Sequence, residues 1–184
     1  MRKYRYLDLK NYMNHKMVFD EYVDIDPFSE TKGAMGLYIL DPGFNFVSKV
    51  KYLKQGGVRV AGSKNLNDNI KCDGQSILLP EKEFRSILLI GFHETGSYTD
   101  AIKLVTCEGT EKTVDIMMYQ MMENLDMLYE CDLDSNSEIA FSAMTNLMVK
   151  IHYYVTKIDV VEKYSKIILP KNEETHIVAI SLIL

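Results

Sequence analysis

The stretch from Asn67 to Gly91, NDNIKCDGQSILLPEKEFRSILLIG, constrains this chain more than any other. Its end, Ser86–Gly91, is apolar at odd and even positions alike. A strand with apolar side chains on both faces must be covered on both faces, so it belongs at the centre of a sheet. Ahead of it lies a cluster of turn formers: Asn65, Asn67, Asp68, Asn69, Asp73 and Gly74. Two strand candidates, Gln75–Leu79 and Phe84–Ile90, frame a turn led by Pro80. The rest of the chain reads as strands added on either side.

Upstream, Tyr4–Leu9 alternates roughly as a strand. Asp20–Lys32 is acidic and irregular, a surface loop. Ala34–Leu40 reads as a short strand closed by Asp41-Pro42-Gly43. Phe44–Leu53 alternates well, and Gly56-Gly57 suits a hairpin turn into Val58–Ala61. Downstream, Ala101–Cys107 and Lys112–Met117 flank Glu108-Gly109-Thr110, which predicts an antiparallel pair. Glu138–Ser142, Met148–Lys157, Tyr164–Leu169 and His176–Leu184 complete the set. The segment 117–130 supports two readings. Met118, Met121, Met122, Leu125, Leu128 and Tyr129 recur at helical spacing, which suits one short helix near 118–129; an irregular Met-rich loop suits the same residues. About ten to twelve short strands with few helix signals predict an all-β, antiparallel two-sheet sandwich of jelly-roll type. No repeat or linker divides residues 1–184, so the expectation is a single domain.

Composition narrows the function classes. The net charge is −5, with Lys and Arg scattered. That argues against nucleic acid and against an anionic membrane, both of which need a coherent basic patch. No apolar run follows the basic start, and none reaches the length of a spanning helix, so a cytoplasmic location is expected. Cys72, Cys107 and Cys131 show no metal spacing. Cys107, inside a strand candidate, should be inert core, and Cys72, in a turn, the more exposed thiol.

Two loops carry candidate chemistry. Asn67, Asp68, Asn69 and Asp73 offer oxygens of the kind a hard cation takes, which makes Asp68, Asn69 and Asp73 candidates for Ca²⁺. The plainer reading is that these side chains bond their own backbone in Asx turns. The loop His93–Asp100 brings His93, Glu94, Tyr98 and Asp100 close together, and could present an imidazole, a carboxylate and a phenol to a ligand. Solvent exposure explains four polar residues in such a loop equally well. No histidine pair has metal spacing, no nucleophile elbow occurs, and carboxylate pairs are too common in this composition to mark a glycosidase. No catalytic residue is assigned, and an enzyme is the less favoured reading. No cofactor beyond Ca²⁺ is suggested.

The chain resembles the jelly-roll, carbohydrate-binding-module-like β-sandwich domain of bacterial glycoside-hydrolase-associated and uncharacterised proteins. The features that carry this are the opening LDLKNYMNHK, the run DNIKCDGQSILLP, SILLIG with its Gly-containing loop, Glu108-Gly109-Thr110 between two strands, and the closing KIILP and HIVAISL. The resemblance implies a galactose-binding-like fold and an accessory module whose partner is a glycan. Where the family places an Asp-Trp pair, this chain has Tyr119-Gln120, and it contains no Trp. An aromatic platform for a sugar ring therefore falls to Tyr, with Tyr98 and Tyr119 among the candidates. The alternative is a structural or protein-interaction domain, self-associating into a homo-oligomer, and a β-sandwich carbohydrate-active enzyme is the third.

Overall fold

The computed structural model describes residues 3–19, 39–40, 50–59, 67–121, 133–145 and 150–184. Its strands are β1 (Tyr4–Tyr6), β2 (Val18–Phe19), β3 (Ile39–Leu40), β4 (Val50–Tyr52), β5 (Gly57–Arg59), β6 (Ile70–Lys71), β7 (Ser76–Leu78), β8 (Ser86–His93), β9 (Tyr98–Thr106), β10 (Glu111–Met118), β11 (Ser137–Thr145), β12 (Lys150–Asp159), β13 (Tyr164–Ile168) and β14 (Thr175–Ile183). The fold is all-β and the sandwich is antiparallel. The large sheet runs β1-β14-β8-β12-β11-β3-β2, with β6 also on β14. The small sheet runs β10-β9-β13-β7, and β4-β5 form a separate hairpin. Among the described strands the short β2–β3 pairing is parallel, and so is the isolated bridge between His93 and Gln120.

Strand β8 is central, as its two-sided apolar pattern predicts. It pairs with β14 on one side and β12 on the other, and all eight residues are buried. Period-two alternation sends its side chains to two different cores. Ile87 and Leu89 enter the core between the sheets with Ile102, Leu104, Ile167 and Ile180. Leu88, Ile90 and Phe92 enter a second core on the other face, with Met17, Val58, Ile151, Tyr153 and Val155. Full burial of each aliphatic side chain contributes about 1.5–3 kcal/mol, so β8 is supported from both directions.

Several expectations change in detail. Strands β7 and β8 frame the Pro80 turn but do not pair with each other: β7 joins β13 in the small sheet while β8 lies in the large one. The turn is thus a crossing between layers. The same holds for β13 and β14. The β9–β10 hairpin is as expected, with Gly109 at φ 88° in its turn. The Gly56-Gly57 turn also forms, and Lys51 donates to the Ala140 carbonyl, seating the β4–β5 hairpin beside the second core. At 117–121 the chain is not helical. Met117 and Met118 end β10, and Gln120 bridges to His93. The remainder of the helix reading, 122–130, lies outside the described residues, as do the loop at Asp20–Lys32, the turn at Asp41-Pro42-Gly43 and Asn65. The cysteine expectation is reversed. Cys72 is fully buried, with burial pushing its thiol pKa up, and Cys107 is exposed at the β9–β10 turn.

Candidate functional site

Half of the stretch His93–Asp100 is strand ends. His93 closes β8 and Tyr98, Thr99 and Asp100 open β9, leaving four connecting residues, Glu94 to Ser97. His93 and Glu94 are buried, so solvent exposure does not explain them. Alternation then separates them. Glu94 is in phase with Leu88, Ile90 and Phe92, on the face of the second core; His93 is in phase with Ile87 and Leu89, on the face toward the small sheet.

On His93's face, Tyr98 and Asp100 are in phase with Ile102 and Leu104 and point the same way. The Tyr98 ring lies tilted over His93, centroids 4.6 Å apart, and is 55% exposed. Asn172 Nδ2 donates to both Asp100 oxygens at 3.2 and 3.1 Å and sits 3.3 Å from His93 Nε2. Asn172 Oδ1 accepts from the Glu174 N–H, so its amide nitrogen faces His93 and Asp100. His93 Nε2 is therefore the acceptor in this contact and Nδ1 carries the proton; among the described residues Nδ1 is buried without a hydrogen-bond partner. Thr175 donates to Asp100 and Thr95 to Glu174. Burial holds the His93 imidazole below its ordinary range, against the pull of Glu174, Asp100 and Glu94. Tyr119 reaches this corner only through its backbone, accepting from the His93 N–H at 2.8 Å. Its ring is buried beside Tyr154, centroids 5.0 Å apart, and its hydroxyl accepts from the Asp134 N–H. It offers no exposed aromatic platform.

On the opposite face a second polar cluster forms under the second core. His176 Nε2 is 2.6 Å from Glu94 Oε1, and His176 Nδ1 is 2.8 Å from Asn69 Oδ1. His15 Nδ1 is 3.1 Å from the same Asn69 oxygen. Asn69 Nδ2 donates to Asp68, whose carboxylate also accepts the Met17 N–H at 3.0 Å and faces Lys16 at 3.5 Å. The His176 ring stacks on Phe92, centroids 4.8 Å apart and planes 7° apart. Asp68, Asn69, Glu94, His15 and His176 are all buried.

The Ca²⁺ candidates are thus divided. Apart from the bond between their own side chains, Asp68 and Asn69 direct their oxygens at groups far along the chain, where those oxygens accept N–H groups. Asp73 is exposed, with its backbone N–H bonded to Gln75. Among the described residues no group of three or more His, Cys, Asp or Glu side chains is placed to hold a metal ion.

A family model for the AziU2-like beta-sandwich domain matches residues 51–183. This chain belongs to that family. The matched segment of the AziU2-like domain contains Asn69, Glu94, His93, Asp100, Asn172 and His176, whereas His15 and Lys16 precede it. No curated protein matches the chain. His15, His176, Asn172, Glu174 and Thr175 are the site residues that sequence reasoning passed over. The available signal was phase: Glu94 stands in register with a buried apolar row, which obliges it to find a buried partner.

Proposed function

We propose that this AziU2-like domain is a non-catalytic binding module that takes a polyhydroxylated, carbohydrate-like ligand at the corner formed by Tyr98, Asp100, Asn172 and Glu174. The observation that carries the reading is the half-exposed Tyr98 ring beside carboxylate and carboxamide groups. A pyranose presents one apolar face and a rim of hydroxyls. An aromatic face meets the first, while carboxylate acceptors and amide donors meet the second. His93 beneath Tyr98 fixes the ring's position, and Asn172 fixes Asp100, so the groups are organised before a ligand arrives.

The test is a glycan array followed by titration calorimetry on the best hit, with wild type and Tyr98→Ala. Removing the ring should weaken binding at least tenfold, with the thermal midpoint little changed because Tyr98 sits at the surface. No array hit, or equal affinity for the two proteins, overturns the proposal and favours the protein-interaction reading.

A further inference from the structure

We infer that His15, Asn69, His176 and Glu94 form an acid-responsive latch: protonating the His15 ring releases the strap at 14–17 from the large sheet. This inference does not depend on the proposed ligand, whose corner lies on the sheet's other face.

The hydrogen-bond pattern places a proton on both Nδ1 atoms. Asn69 Nδ2 is committed to Asp68, so Asn69 Oδ1 can only accept. Both imidazoles approach that oxygen through Nδ1, so both carry a proton there. His176 Nε2 and Glu94 Oε1, 2.6 Å apart, then hold one proton between them. His15 Nε2 is left as a bare lone pair, buried and, among the described residues, without a hydrogen-bond partner. A proton arriving at that atom makes an imidazolium whose new N–H has no acceptor among the described residues. It also places positive charge on a ring 5.1 Å, centroid to centroid, from that of His176.

Among the described residues the groups facing His15 are few. Asn69 on the 67–69 loop and Glu94 beyond β8 favour its charged form, while burial, His176 on β14 and Lys71 on β6 disfavour it. Lys16 and Asp68 pair with each other alongside. Burial is the largest influence and holds the His15 pKa down to about 4. The open strap, with its imidazole in water, takes the proton near 6.5. Between those values acid therefore favours opening.

The mechanical link is the backbone. The His15 carbonyl accepts from the Asp68 and Asn69 N–H groups, and the Asn69 carbonyl from the Asn14 and His15 N–H groups. If His15 leaves, these bonds go with it, and so does the Asp68 contact to the Met17 N–H. Met17 then lifts off the second core and uncovers apolar surface beside Phe92.

The test is amide hydrogen exchange from pH 7 to 4, corrected for intrinsic rates, following 14–17 and 67–71 with the β9–β10 hairpin as internal reference. In wild type the opening constant of the strap should rise up to about tenfold per pH unit below pH 6, the slope of one proton, while the hairpin stays flat. His15→Asn keeps an N–H near the Nδ1 position but cannot ionise, so its slope should vanish. A flat wild-type profile, an undiminished slope in His15→Asn, or the same slope in the hairpin overturns the latch. A ring titration of wild-type His15 by nuclear magnetic resonance needs no variant. A midpoint above pH 6 with the strap still protected overturns it as well.

Discussion

Asn69→Ala should be among the most damaging single truncations in a turn of this protein. The Asn69 carboxamide accepts from His15 at 3.1 Å and His176 at 2.8 Å, and donates to Asp68 at 2.9 Å. Alanine leaves two imidazole N–H donors buried without an acceptor. Each such orphan costs about 1–3 kcal/mol, against about 1 kcal/mol for the net loss of an ordinary exchangeable bond. The expected loss is therefore about 4 kcal/mol, a large share of the roughly 5–15 kcal/mol that holds a domain folded. At about 2–4 °C per kcal/mol for a chain of this size, the midpoint should fall by about 8–16 °C. Asn67→Ala is the matched control. Asn67 is exposed and makes one 3.3 Å bond to the Met13 carbonyl, so its loss should stay within about 0.5 kcal/mol. Urea unfolding of both variants decides the matter. If Asn69→Ala comes within about 1 kcal/mol of Asn67→Ala, the carboxamide is not the hub assigned to it.

Three further outcomes follow from the same structure. Gly91→Ala would put a Cβ 2.2 Å from the His176 carbonyl oxygen in the middle of the large sheet, and should cost about 3 kcal/mol or prevent folding, whereas Gly74→Ala, at φ 74° in open space, should cost about 1 kcal/mol; denaturant melts compare them. Brief alkylation of the native protein, read by peptide mass spectrometry, should label Cys107 and spare Cys72, and the reverse order would contradict the burial. Because the folded protein holds His15 down to about 4 and His93 below its usual range, the unfolded chain binds more protons just below pH 6.5, so stability should fall as pH drops from about 6.5 to 4. His15 alone accounts for about 3 kcal/mol of that loss, and melts that are flat across this window would contradict it.

The centre of the fold was legible in the chain because β8 is apolar in both phases, and only a doubly covered strand fits that pattern. The β9–β10 hairpin was legible because its turn is short and glycine-bearing. That β7 and β8 lie in different sheets was not. A turn through Pro80 reads alike whether its flanking strands pair or cross between layers, and what decides is their partners, β13 and β14, some ninety residues further on. The cysteines were misjudged for a related reason. A turn next to a central strand can be buried by what folds over it, and the end of a hairpin strand can project beyond the sheet.

The candidate sites show the same division. Residue types at 67–69 and 93–100 marked both regions as polar and close-set, but not where their side chains go. Asn69 bonds to residues 54 and 107 positions away, and Glu94 to one 82 away, so no local pattern records the contact. Asx turns were a reasonable local expectation for Asn67, Asp68 and Asn69. At Asp68 and Asn69 they yield because burial removes water as a competitor, and at Asn69 because the long-range imidazole donors converge on its oxygen.

The second core also explains why a polar cluster sits where aliphatic packing would have served for stability alone. Apolar contacts are non-directional, and Met17 could slide along the row Leu88, Ile90 and Phe92 with little penalty. A one-residue slip of a strap on a sheet reverses every side chain. The Asn69 oxygen admits His15 in one register only, because His176 already occupies its other side and Asp68 holds its amide. On this view the cluster selects the register of 14–17 rather than strengthening it. Replacing His15, Asn69, His176 and Glu94 together by apolar residues should then preserve stability better than Asn69→Ala while loosening the strap, since neither a buried imidazole donor nor the Glu94 carboxylate is left without its partner but nothing fixes alignment.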